Sequence, residues 1–409
     1  MMPAGPRGML RFAVAAAWVL VALAICQPLS AQTNPTPGVS KTEIRIGNTM
    51  PYSGPGSAYA TIGRAEAAYF AMVNDQGGVN GRRINFISLD DAYSPPKTVE
   101  QIRRLVESEE VLLIFSSFGT ATVTAVQKYL NQQKVPQLFF VTGASKWENR
   151  KMFPWMLGWQ PTYRTEGAIF AKHIIRVKPQ AKIGVLYQND DYGKDYVMGL
   201  KDGLGARAAT MIVEEMSYQL SDPTIDSQVV ALKASGADVF VDVTTAKFSA
   251  QAIRKSFEIG WNPLHMLNSI SASVATVLEP AGLEKSVGIV SAAYSKDPSD
   301  PQFANDAGVH DYLGWMRRYY PDGDPANSIN VNSYNRAMTL LQVLKQCGDD
   351  LSRENVMRQA DSLDLELPML LPGVRIKTGP TRTVAIHAMQ LQRFTGMSWE
   401  HFGELFESE

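Results

Sequence analysis

The chain has 409 residues, 45% of them hydrophobic and 19% charged, with 39 Lys and Arg set against 40 Asp and Glu. That composition is too apolar for disorder, and a formal charge of −1 gives no basic face for nucleic acid. The length exceeds what one hydrophobic core usually serves, so two lobes are expected, and two cysteines are too few for a disulfide framework.

Arg7 and Arg11 precede an apolar run from Phe12 to Cys26, and Pro28, Ser30 and Ala31 follow; residues 1–31 read as a secretory signal peptide. The run of fifteen residues is shorter than the ~20 of a membrane-spanning helix. Cleavage is expected near Ala31, although Leu29 stands where a small residue is commoner, and bulky Ile25 before Cys26 argues against a lipid anchor. Removing the segment takes away two arginines and no acid, so the charge moves from −1 to −3, and Cys347 is left as the one cysteine. A soluble protein outside the cytoplasm, in the periplasm, is expected.

From Lys41 onward, short β-branched or apolar runs alternate with longer stretches of helical period, the pattern of an α/β fold with parallel sheets. Strands are expected at Glu43–Gly47, Ile84–Leu89, Val111–Phe115 and Val135–Val141, with helices at Tyr59–Gln76, Pro96–Ser108 and Thr120–Gln133. A second series has helices at Thr162–Val177, Tyr192–Ala206, Ile225–Ala234 and Phe248–Ile259, and strands at Ile183–Tyr187, Met211–Met216, Val239–Val243 and His265–Asn268. The last part is mixed: a strand near Gly288–Ser291, helices near Phe303–Tyr320 and Ser328–Gln346, then extended stretches at Val374–Ile376 and Ala385–Arg393.

Four segments in this order resemble the leucine/isoleucine/valine-binding protein family, the type I periplasmic binding proteins of branched-chain amino-acid ABC importers. They are Tyr52-Ser-Gly-Pro-Gly-Ser-Ala-Tyr59, Asn74-Asp-Gln-Gly-Gly-Val-Asn-Gly81, Asp90-Asp91-Ala92-Tyr93 and Asn189-Asp-Asp-Tyr-Gly193. The resemblance implies two doubly wound, Rossmann-like lobes joined by a three-segment hinge. The crossings fall near Gly158–Pro161, Ser291–Ser295 and Leu367–Thr381; lobe one is then 40–160 with 293–367, and lobe two 161–292 with 368–409. It also implies a small-molecule carboxylate or amino acid as ligand, held in the cleft at the strand ends, and a membrane permease as partner. A monomer without cofactor or metal is expected.

A carboxylate needs hydroxyls and unpaired backbone N–H groups, which helix N-termini supply where Ser or Thr sits at the cap. Two strand-to-helix stretches offer them, Ser116-Ser-Phe-Gly-Thr120 and Thr142-Gly143-Ala144-Ser145. The resemblance places the carboxylate at Thr120 and at Thr142–Ser145, and tyrosines against the ligand at Tyr59 and Tyr192. Loop position adds Phe118, Tyr163, Tyr294 and Trp147 as aromatic walls. Caps, turns and ordinary packing are the plainer reading of each.

One departure bears on the ligand. An amino-acid binder needs an acid for the α-ammonium, because burying that cation unpaired is costly. In His265-Met-Leu-Asn-Ser-Ile-Ser-Ala272 the family's glutamate falls on Ser269, and the neighbouring aromatic position falls on Thr245. The ligand expected is therefore an aromatic or aliphatic acid without an ammonium group. Asp242 is the nearest substitute acid, and Lys247 and Arg164 are possible cationic partners, though each also reads as a locally bonded or solvated charge.

An enzyme finds little support. His173, His265, His310, His387 and His401 stand apart, Gly54-Pro-Gly56 has Tyr59 where a dinucleotide fingerprint needs glycine, and Gly143-Ala-Ser145-Lys-Trp147 lacks the last glycine of a nucleophile elbow. A ligand sensor reporting to a signalling partner remains open, since fold does not fix function.

Overall fold

The computed structural model describes Met1 and residues 36–407; the expected signal peptide and its cleavage site lie outside the described residues. The first lobe is built on five parallel strands, β1 (Glu43–Met50), β2 (Arg83–Asp90), β3 (Leu113–Phe115), β4 (Gln137–Phe140) and β5 (Met156–Gly158), in the order β2-β1-β3-β4-β5. Between them run α1 (Thr61–Asp75), α2 (Pro95–Arg103) and α3 (Thr120–Gln132). The strands β3 and β4 are buried along their whole length, as expected where helices cover both faces of a parallel sheet.

The second lobe repeats the pattern. Its strands β6 (Ile183–Gln188), β7 (Ile212–Tyr218), β8 (Val239–Val243), β9 (Leu264–Leu267) and β10 (Val290–Ala293) are parallel, with α4 (Tyr163–Val177), α5 (Asp191–Leu204), α6 (Asp226–Ala234) and α7 (Ala246–Glu258) between or before them. The chain then returns to lobe one as α8 (Ala307–Tyr319), α9 (Ser328–Cys347) and α10 (Arg353–Ala360). Tyr69 of α1 packs on Trp315 of α8 and Tyr334 of α9, and Arg353 donates to the carbonyls of Val111 and Leu112, so these helices complete the first core.

A two-stranded sheet, β11 (Asp364–Leu365) with β12 (Ile376–Lys377), precedes β13 (Ala388–Phe394) and β14 (Trp399–Glu407). These last two add antiparallel strands to β10, giving the order β14-β13-β10-β9-β8-β6-β7. Three connecting segments lie side by side. Ile386 N donates to Trp159 O, Gly158 N to Thr383 O, and Leu371 N to Tyr294 O. This is the type I periplasmic binding protein fold. The sequence reading missed β5, β14 and α10. Three residues are too short for a periodic signal, and α10 begins only where the Ser352 side chain caps it. Among the described residues, no helix is long and apolar enough to cross a membrane.

Candidate functional site

Both sheets point the C-terminal ends of their strands at one cleft. From lobe one come the turn after β1, the Ser116–Gly119 turn between β3 and α3, and the Thr142–Ser145 turn after β4; from lobe two come the residues after β6, β8 and β9. A cavity of about 70 Å³ sits here. Four of the expected residues line it: Tyr59, Phe118, Ser269 and Tyr294. Tyr59 and Phe118 stack with ring centroids 4.4 Å apart, forming one apolar wall. The Tyr59 hydroxyl accepts from Ala246 N at 3.1 Å, across the cleft at the first turn of α7.

The other expected residues form a buried polar zone outside the cavity's lining. The hydroxyls of Thr120 and Thr142 bond each other at 2.7 Å, and Ala144 N approaches Thr142 Oγ1 at 3.4 Å. Ser145 donates from both N and Oγ to Asp195 of α5, at 2.8 and 2.6 Å, which ties the lobes together beside the Lys146–Asp191 ion pair. Gly143 O receives Tyr163 N, and the Tyr163 ring lies so close that a Cβ at position 143 would stand 3.1 Å from it. Tyr163 stacks on Tyr196 at 4.8 Å and meets Tyr192 edge-on at 5.1 Å. Tyr192 donates to Thr244 O, and Thr245 N donates to the Tyr218 hydroxyl at 2.9 Å. Trp147 packs on Phe140 in the core.

Beside Ser269 there is an acid after all, supplied by a different element. Glu166, in the first turn of α4, accepts from Ser269 N at 2.7 Å and from Ser269 Oγ at 2.6 Å, and Tyr196 donates to it at 2.7 Å. Burial raises its carboxyl to about 7, against the pull of those donors. Three donors already occupy it, and it does not line the cavity. Asp242 is fully buried, taking a bond from the Thr244 hydroxyl at 2.6 Å and facing His265 at 3.2 Å, so it is sealed from the cleft. Arg164 pairs with Asp202, and Lys247 lies over the Phe248 ring.

The sequence reading also passed over a buried ion pair at the cavity. Arg336 of α9, 2% exposed, lines the cavity and reaches Glu66 of α1 at 3.2 Å. Among the described residues, no cluster of three or more His, Cys, Asp or Glu is gathered for a metal ion.

A family profile described as periplasmic binding protein matches residues 43–397. The chain is 24% identical over 329 residues to Leu/Ile/Val-binding protein homolog 7 of Brucella abortus, covering 75% of this chain and 78% of that relative. Among solved structures, a branched-chain amino acid ABC transporter protein from Thermus thermophilus with bound valine superposes with a TM-score of 0.80 at 15% identity, covering 90% of this chain and 98% of the other. A solute-binding protein of an ABC transporter from R. palustris in complex with benzoate gives 0.77 at 17% identity, with the same coverage. The motif order, the two facing sheets and the profile match across nearly all of the described residues agree: the chain belongs to the periplasmic binding protein family.

Proposed function

We propose that this chain is the periplasmic solute-binding component of an ABC importer, and that it captures a small carboxylate lacking an α-ammonium group without transforming it. The observation that carries the reading is the cavity's lining: aromatic Tyr59, Phe118, Tyr294 and Trp399, with a buried cation, Arg336, and no acid free to meet an ammonium. Asp297, the one acid among the lining residues, already accepts from Ser299 and from Trp399 N. The neighbours that hold valine and benzoate support a ligand of this size.

In this reading Tyr59, Phe118, Ser269 and Tyr294 wall the ligand. Thr120 and the Thr142-Gly143-Ala144-Ser145 turn, which lie just behind the lining and bond one another and Asp195 in this form, are the lobe-one donors the reading assigns to the carboxylate, and Tyr163, Tyr192 and Thr245 pack behind the site. In this reading the lobes divide near 158–161, 291–295 and 367–381, a division supported by the Leu371–Tyr294, Gly158–Thr383 and Ile386–Trp159 backbone bonds. Ligand bridging both lobes favours the closed form, which a membrane permease then recognises. The secretory signal read at residues 1–31 supports a periplasmic location, and the mature chain is taken to act there as a monomer.

A thermal-shift screen of the mature protein tests this directly. A ligand at 100 times its dissociation constant adds about 2.7 kcal/mol of stability. Aromatic and aliphatic carboxylates should raise the midpoint, and leucine, isoleucine and valine should not. Stabilisation by the amino acids alone would overturn the assignment. Thr120→Ala should weaken carboxylate binding by roughly 1.5–3 kcal/mol, the worth of one hydrogen bond to a charged group; unchanged affinity removes Thr120 from the site.

A further inference from the structure

The deepest unusual feature of the cavity is its one buried guanidinium. Arg336 stands in the middle of α9, surrounded by the first lobe's core, and its ring neighbour Trp159 lies 4.8 Å beneath the guanidinium as a cation–π platform. Both of its hydrogen bonds leave from Nη1, to Glu66 Oε1 at 3.2 Å and to Ser116 Oγ at 3.4 Å. Nε is buried and has no partner in the protein. Its acid is incompletely used too: Glu66 Oε1 takes the Ser116 hydroxyl at 2.5 Å, while Oε2 has no partner.

A buried cation is tolerated when its donors are met, and a salt bridge engaged through one nitrogen leaves this one short. Burial pushes the Glu66 carboxyl up, to about 8, against the opposing Arg336 charge and the Ser116 bond, so burial works against full neutralisation of the guanidinium by its neighbour. An arginine with donors left unengaged matches a carboxylate in the two-bond geometry that makes such pairs specific.

We propose that Arg336 is the anion anchor of this cavity, receiving the ligand's carboxylate on the part of the guanidinium that Glu66 and Ser116 leave unengaged, with Trp159 and Glu66 as positioning residues that hold the guanidinium in place. This rests on the carboxylate reading given above, which noted Arg336 only as a charge in the lining, and makes that guanidinium a direct contact of the ligand. It also accounts for exclusion of zwitterions. An ammonium entering beside Arg336 meets a like charge, and Glu166, the nearest spare carboxyl to Ser269, is saturated with donors.

The test compares acid with amide. Benzoate, 3,4-dihydroxybenzoate and straight-chain C4–C8 acids are titrated calorimetrically into the mature protein, and the tightest binder is then set against its own primary amide. Wild type should prefer the acid by at least about tenfold. Arg336→Met leaves Glu66 buried and unpaired and risks misfolding, so the working variant is the double exchange Arg336→Met with Glu66→Gln. It should lose roughly 10–100-fold in acid affinity and bind acid and amide alike. Glu66→Gln alone keeps an amide acceptor for the guanidinium and removes the ionisable group, so it should bind acid as tightly as wild type at pH 7 and more tightly at pH 9. Retention of the acid preference in the double variant overturns the assignment of Arg336 while leaving the carboxylate reading intact. Failure of wild type to bind any acid of the panel overturns both.

Discussion

Glu166 and Ser269 meet through two bonds to one carboxylate: the Ser269 N–H reaches it at 2.7 Å and the hydroxyl at 2.6 Å. The carboxyl lies beside Ser269, onto which the sequence reading put the family's ammonium-binding glutamate, yet it is turned to the Ser269 turn of its own lobe. Its role is to fix the Ser269 turn at the cavity wall, and this has a measurable signature in pH.

An acid whose pKa is raised by folding contributes stability that is full below its unfolded value and lost as pH rises through its folded one. For Glu166 that window runs from 4.5 to about 7. Wild type should therefore lose on the order of 3 kcal/mol from this group across the window. Glu166→Gln should flatten that part of the stability curve while leaving carboxylate affinity within about twofold. Thermal midpoints from pH 4.5 to 8 check the first point and titration the second.

Asp195 receives two donors from Ser145 across the cleft and no ligand contact is assigned to it. Asp195→Asn keeps the size and removes one acceptor, so it weakens closure itself. Affinity should fall by roughly 5–30-fold, and by the same factor for every ligand. Dissociation constants for three different acids, measured on both proteins, decide this.

Ligand affinity should also respond to alkaline pH. As pH rises through about 8, Glu66 ionises beside Arg336, taking up its charge and repelling an incoming carboxylate. The other titratable groups that feel this pair, Tyr52 and Tyr294, have phenols raised above their ordinary values by burial and stay neutral there. Acid binding should weaken between pH 7 and 9 in wild type and hold level in Glu66→Gln, as read by calorimetry at half-unit steps.

Gly119 begins α3 with a φ of +96°, and a Cβ there would stand 2.1 Å from Tyr93 Cε2. Gly119→Ala meets both a backbone penalty and a clash with a ring that packs on Phe118 at 5.3 Å. A loss of about 2–4 kcal/mol in unfolding free energy is expected by denaturant titration, with weaker ligand binding because Phe118 is displaced.

The fold was legible because its signals are local. Alternation of apolar runs with helical stretches marks β1 to β4, β6 to β10 and the helices between, usually within a few residues. Strand β14 escaped because Trp399–Glu407 carries three glutamates and a glycine, without the apolar run of a buried strand; its pairing with β13 supplies what its sequence does not announce. The site was less legible. Phe118 and Tyr294 were suggested by loop position, and Tyr59 and Ser269 by the family resemblance. Arg336 reads as a surface cation on an amphipathic helix until Glu66, 270 residues earlier, is brought beside it. Glu166 likewise reads as a first-turn acid complementing the helix dipole, and only folding sets Ser269 against it, 103 residues later.

Tyr59 has its ring in the wall of the cavity and its hydroxyl on the backbone of α7 in the facing lobe. On the proposed reading, cargo and latch would share one side chain. A molecule too large for the ring to keep its place would then unfasten the latch as it entered, so oversized cargo would be rejected by failure to shut rather than by failure to fit. Such a protein sorts by size in a moving part, and the sorting would persist even where the cavity wall itself is forgiving.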